Sequence, residues 1–136
     1  MTKNKRDGTY RETWVRKKLQ DAGLDAERAG NNMPSKDVSL RVASRRYAVE
    51  VKDRRNLNLH QTVKDTIDQN DGERAVVVWH KREAAGQSGR LMPVGPTLAA
   101  LPFETFVTIM AELEKSAQRI ELLERTIVKM AARKFS

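Results

Sequence analysis

Three acidic residues and one lysine carry most of the chemical information in this 136-residue chain. Asp37 is followed thirteen residues later by Glu50-Val51-Lys52, and Glu12 lies upstream in a stretch with helical spacing. Strand alternation sets Ala48, Glu50 and Lys52 on one face, with Tyr47, Val49 and Val51 on the other. Two charges side by side on a sheet face are badly placed unless something uses them. Asp37 opens the neighbouring strand, where its carboxylate can approach Glu50. An Asp and a Glu on adjacent strands, with a backbone carbonyl such as that of Val51, make a hard-oxygen site suited to Mg²⁺, with Mn²⁺ as the substitute ion. A lysine two residues on can orient a water or stabilise charge developing on a phosphate. Glu12 has two readings. It is a candidate third carboxylate, or the acid of a capping box written Thr9-Tyr-Arg-Glu12.

The elements that must position these residues follow from the local pattern. The capping box opens a helix over about 9–22, with Trp14, Val15 and Leu19 as its apolar positions and Gly23 as its stop. A short extended segment at 25–28 leads into a turn-rich loop at 29–34. Val38, Leu40 and Val42 alternate, as do Tyr47, Val49 and Val51, which predicts two adjacent strands joined by a tight turn at 43–45. Leu59, Val63 and Ile67 fall on one face of a helix over 58–70, ended by Asn70-Asp-Gly72. Ala75-Val-Val-Val-Trp79 reads as a buried strand. A polar loop at 83–90 and a short strand near 91–94 follow, before Pro93, Gly95 and Pro96 break the chain.

The last section differs in kind. From Pro102 to Lys134 nothing interrupts a helix, and Phe106, Met110, Leu113, Ala117, Ile120, Ile127 and Ala131 step by threes and fours, with Glu124 at one seam position. That spacing resembles a short coiled coil. The chain therefore divides into a domain over 1–100 and a helix over 101–136 that serves dimerisation or partner binding, most simply as a homodimer.

Composition narrows the functional classes. There is no Cys, which removes disulfide scaffolds, zinc fingers, iron–sulfur sites and thiol nucleophiles. No apolar run approaches the ~20 residues of a membrane span, so no membrane partner is expected and the cytoplasm is the expected compartment. The formal net charge is +8, and residues 1–60 supply nearly all of it with 15 Lys/Arg against 8 Asp/Glu. Such local asymmetry suits a polyanion, because each neutralised phosphate releases condensed counterions. No Ser–His–Asp order, Gly-rich phosphate loop or nucleotide fingerprint is present, and His60 and His80 lack a partner at metal-ligand spacing.

Asp37 with Glu50-Val51-Lys52 resembles the metal-dependent PD-(D/E)XK nuclease superfamily. Within it, Glu12, Arg28-Ala-Gly30, Ser35, Asp37, Glu50 and Lys52 match in order the pattern of the archaeal-type Holliday junction resolvases, over roughly residues 8–80. Two departures stand out: Ser35 and Lys36 separate Pro34 from Asp37, and the helix Glu12 is followed by Thr13, its arginine (Arg11) preceding it. The resemblance implies an α/β fold with a restriction-endonuclease-like core, a central mixed β-sheet flanked by helices, to which this chain adds its long C-terminal helix. It implies Mg²⁺ held by Asp37, Glu50, the Val51 carbonyl and Glu12, with Lys52 positioning the attacking water. It also implies branched double-stranded DNA as partner, gripped by Lys5, Arg6, Arg11, Arg28, Ser35, Arg54, Arg55 and Gln61, in a prokaryotic or bacteriophage-infected cell. The expected function is a structure-selective endodeoxyribonuclease that resolves four-way junctions by paired hydrolysis. The alternatives are another nicking or repair endonuclease of the same core, and a non-catalytic dimeric DNA-binding protein.

Overall fold

The architecture is built around one strand that buries apolar residues near its middle and carries part-buried charge beyond them. This strand, β3 (Arg45–Arg54), runs from Tyr47, Ala48 and Val49, all buried, into Glu50, Lys52 and Asp53, which are part-buried. The computed structural model describes residues 3–29, 36–86 and 89–135, with side chains for 9–29, 36–84, 86 and 89–134. The loop expected at 29–34 lies, apart from Ala29, outside the described residues.

The chain begins with α1 (Lys3–Asp21), then β1 (Asp25–Arg28), β2 (Val38–Val42) and β3, followed by α2 (Leu59–Gln69), β4 (Arg74–Ala85), β5 (Arg90–Pro93), β6 (Leu98–Ala100) and α3 (Phe103–Phe135). The sheet is mixed, in the order β1-β2-β3-β4-β5, with β6 paired to β4 as well. β1, β2 and β3 are antiparallel neighbours; β3 and β4 are parallel, with α2 in the crossover between them. The first half of β4 pairs with β6, Val77 against Ala100, and its second half pairs with β5, Arg82 against Pro93. Fully buried Val38, Val49 and Val77, one from each of the three central strands, form the middle of the core. α1 packs against β1 and β3, and α2 against β4 and β3. The chain separates into two compact units, Met1–Pro102 and Phe103–Ser136. Among the described residues no helix is long and apolar enough to cross a membrane.

Local chemistry explains most boundaries. Gly23, at φ +86, closes α1: its amide bonds to the Gln20 carbonyl, and the Leu24 amide to that of Leu19. That is the Schellman arrangement, which needs a left-handed residue at this point. The β2–β3 hairpin turns through Ala43 (φ +49) and Ser44 (φ +66), the left-handed pair that a tight two-residue hairpin demands. Asn58 caps α2 by accepting the Gln61 amide at 3.1 Å.

Three expectations need correction. α1 starts at Lys3, not Thr9. Lys3–Gly8 contains no proline, and a single interior glycine costs only about 1 kcal/mol, so the helix extends upstream and no capping box forms at Thr9. The polar loop expected at 83–90 is strand up to Ala85, because β4 continues that far under pairing from β5, which begins at Arg90; residues 87 and 88 lie outside the described residues. β6 lies just beyond the breakers Pro93, Gly95 and Pro96, in a stretch to which the sequence assigns no element; its pairing with β4 makes it a strand, which local pattern does not encode.

Candidate active site

The site forms where β2 begins beside the middle of β3. Asp37 sits one residue before β2, and its backbone is held on both sides. Its amide donates to the Val49 carbonyl at 3.0 Å, while its carbonyl accepts the Ala29 amide at 3.0 Å. The Asp37 carboxylate then continues the ladder with a side-chain atom, Oδ2 accepting the Val51 N–H at 2.7 Å. This bond fixes Asp37 against the segment that carries Glu50. Lys52 Nζ lies 3.1 Å from Glu50 Oε1, both side chains about one-fifth exposed. From α1, Glu12 reaches the same place, its Oε2 3.5 Å from Arg28 Nε at the end of β1. A cleft of about 420 Å³ joins them, lined by Glu12, Asp37, Glu50, Val51, Lys52, Asp53 and Arg54.

The electrostatics of this cleft are under-compensated. Burial pushes the Glu12 carboxyl up to about 7, helped by the Asp37 charge and a hydrogen bond with Asp37, against which Arg28 acts only partly. Glu50 is pushed up as well, first by burial and then by Asp37, with Lys52 opposing. Glu12, Asp37 and Glu50 thus crowd together, with Arg28 beside Glu12 and Lys52 beside Glu50. That imbalance is what a bound divalent cation would relieve.

The same face continues toward α2. A second hollow of about 240 Å³ lies between Glu50, Lys52 and Arg54 of β3 and Thr62, Asp65, Thr66 and Gln69 of α2. Sequence reasoning chose Gln61 from this helix. Gln61 Nε2 donates to Asp65 Oδ1 at 2.7 Å, and the α2 residues that line the hollow are Thr62, Asp65, Thr66 and Gln69. Thr62, Thr66 and Gln69 share one helical face, and Thr66 on it is buried whereas Ile67 is exposed, so the face turned to the sheet is set by these polar residues more than by the apolar spacing.

The expected DNA-contacting residues divide into three groups. Arg54 and Arg55 are exposed at and just beyond the end of β3, and Arg28 is half-exposed beside Glu12. Arg11 differs from expectation: its side chain is only 14% exposed and points to Asp53, Nε to Oδ2 at 3.4 Å, so its charge is consumed inside the molecule. Lys5 and Arg6 lie on α1, with no side chain described, and Ser35 lies outside the described residues. The strongest ion pair near the site was not anticipated. Arg82 of β4 grips Asp53 with both Nε and Nη2, at 2.6 and 2.7 Å. Burial alone would raise the Asp53 carboxyl, but Arg82 and Arg11 outweigh it and hold it below the usual range. His80, next to this pair, is buried with Nδ1 2.7 Å from Thr97 Oγ1, and burial, then Arg11, push its imidazole down against the opposing pull of Asp53. His60 is exposed.

Among the described residues no three His, Cys, Asp or Glu side chains stand ready as a metal-ligand cluster. The donor chemistry nonetheless fits Mg²⁺, which uses one or two carboxylates and keeps most of its shell as water. Asp37 retains Oδ1 beyond its bond to Val51, and Glu50 is the second carboxylate.

The fold is similar to that of Hjc, a Holliday junction resolvase from the archaeal hyperthermophile Archaeoglobus fulgidus. The likeness covers 70% of this chain and 84% of that one, at 24% identity and a TM-score of 0.44. No family model and no curated protein matches the chain.

Proposed function

We propose that this protein is a metal-dependent endonuclease that hydrolyses phosphodiester bonds in branched double-stranded DNA, four-way junctions being the substrate. The observation that carries this reading is the Asp37 carboxylate bonded across to Val51, which sets it beside Glu50 and the Glu50–Lys52 pair. Asp37, Glu50 and the Val51 carbonyl would hold Mg²⁺. When bound, the ion would supply Lewis acidity at a phosphoryl oxygen and a more acidic water.

The chain's own groups do the rest. Lys52 Nζ, oriented by Glu50, donates hydrogen bonds to a water or to a phosphate oxygen in the cleft. The Glu12 carboxyl, poised near neutral pH, holds or releases a proton at the same place, and Arg28 keeps Glu12 turned inward. Exposed Arg54 and Arg55 flank the cleft and draw in the phosphate backbone. Residues 1–60, which hold 15 Lys/Arg against 8 Asp/Glu, also supply the residues of this site, a charge balance that favours a polyanionic substrate.

The test is incubation of the purified protein with a labelled four-way junction and a linear duplex of matched sequence, in Mg²⁺ and in EDTA. Paired nicks near the branch point, dependent on Mg²⁺ and lost in Glu50→Ala and Lys52→Ala, are the expected result. Equal cutting of duplex and junction removes the junction from the proposal. Binding without cleavage in Mg²⁺ overturns the enzyme.

A further inference from the structure

α3 is a 33-residue helix that exposes far more apolar surface than a solvated helix tolerates, and its best heptad seam differs from the one that the sequence spacing first suggests. In that first seam Glu124 occupies a core position, where two copies would bury two facing carboxylates. A seam rotated by one position removes the conflict. Phe106, Leu113, Ile120 and Ile127 recur every seven residues, and Ile109, Ser116, Leu123 and Met130 recur three residues after each. No charged residue interrupts this stripe from 106 to 130, about three and a half heptads. Ile120, Leu123, Ile127 and Met130 are each 57–64% exposed. On the outer side Arg125 pairs with Glu121 at 2.6 Å within the helix.

We infer that α3 associates with the α3 of a second copy of this chain as a parallel two-stranded coiled coil, in register through this seam. Three features select that occupant and orientation. β-Branched Ile120 and Ile127 fall at one core position with Leu123 at the other, the combination that favours two parallel strands. In the parallel arrangement Arg119 of one helix flanks Glu124 of its partner, an attractive pair that the twofold axis repeats. Among the described residues neither Arg119 nor Glu124 has an ion-pair partner within its own chain. An antiparallel pair with the same overlap sets Arg119 against Arg119 at the axis, and buries Ser116 opposite Ile120. The parallel pair matches Ser116 with Ser116, a small polar layer that fixes register. Both chains enter the coil at the same end, so two copies of the first unit are tethered to each other there. The inference stands on the helix alone and does not depend on nuclease activity.

The experiment uses the full-length chain and reads mass, not activity. Sedimentation of the wild type at about 10 µM is expected to give twice the 15.5 kDa chain mass. Ile120→Lys is expected to weaken dimerisation more than 100-fold. Arg119→Glu and Glu124→Arg are each expected to weaken it several-fold, and the double variant to restore it. The chain has no cysteine, so Ser116→Cys introduces one thiol per chain; mild oxidation is expected to convert the dimer to a disulfide-linked species. A monomeric wild type overturns the inference. So does a dimer that is indifferent to Ile120→Lys, and so does a dimer that fails to cross-link through Ser116→Cys.

Discussion

Glu50 and Asp53 lie three residues apart on the same strand, both shielded from solvent, and their environments are opposite. Glu50 shares its cleft with Asp37 and Glu12, is paired with Lys52, and is pushed up, first by burial and then by Asp37. Asp53 is gripped by Arg82 through two hydrogen bonds, with Arg11 behind it, and is held down. One carboxylate is left with unmet charge and the other is over-supplied. The difference teaches how to separate a site from a scaffold. A satisfied ion pair fixes the strand, whereas an unsatisfied group of like charges costs stability and is retained where a ligand can complete it.

The largest expected effect breaks the comparison on the Glu50 side. Asp37→Asn or Glu50→Ala should lower junction cleavage about 1000-fold, a loss of about 4 kcal/mol in transition-state stabilisation, while urea unfolding shows no loss of stability in the absence of metal. Asp53→Ala should behave in reverse. It strands Arg82 and Arg11, and should cost about 3 kcal/mol in urea unfolding. Cleavage by the fraction that remains folded should change much less than in Glu50→Ala.

Acid and base should pull the two regions apart. The Asp53 carboxyl is depressed in the folded state, so its contribution is present above the unfolded value near 4 and is lost as pH falls through the lower folded value. Glu12 is raised from 4.5 to about 7, so folding is favoured while it is protonated and loses that support as pH rises through 7. Stability of the metal-free protein should therefore peak in mildly acidic buffer and decline toward pH 8. Glu12→Gln should recover about 1–2 kcal/mol at pH 8 and nothing at pH 5, measured by urea unfolding at both. The smallest effect is a sharpening one. Mg²⁺ binding to the wild type at pH 7 should release a fraction of a proton, seen as a buffer-dependent heat in calorimetry, and Glu12→Gln should reduce that fraction.

Much of the fold was legible because its signals are local. Alternation placed β2 and β3, Gly23 and Asn70-Asp-Gly72 marked the helix ends, and uninterrupted periodicity gave α3. β6 was not legible, since Leu98-Ala-Ala100 has no strand pattern until β4 pairs with it. The site was half legible. Strand alternation put Glu50 beside Lys52, and the distance between the two strands brought Asp37 to them. On α2 the sequence pointed to Gln61, and that Thr62, Asp65, Thr66 and Gln69 line the adjoining hollow was not legible, because which side of a helix faces a sheet depends on its packing.

The sequence by itself determined that Glu50 and Lys52 share a face, that positive charge gathers in the first sixty residues, and that the chain ends in a long amphipathic helix. These are properties of neighbours a few residues apart, set by backbone period and composition. Only the tertiary structure decided the rest. Lengthening α1 to Lys3 freed Glu12 from a capping role and let it meet Asp37 and Arg28. The same packing turned Arg11 inward to Asp53, and brought Arg82 from 29 residues away to complete that pair. Partners so far apart along the chain are chosen by how the sheet and helices close on each other, and no local pattern of residues encodes that choice.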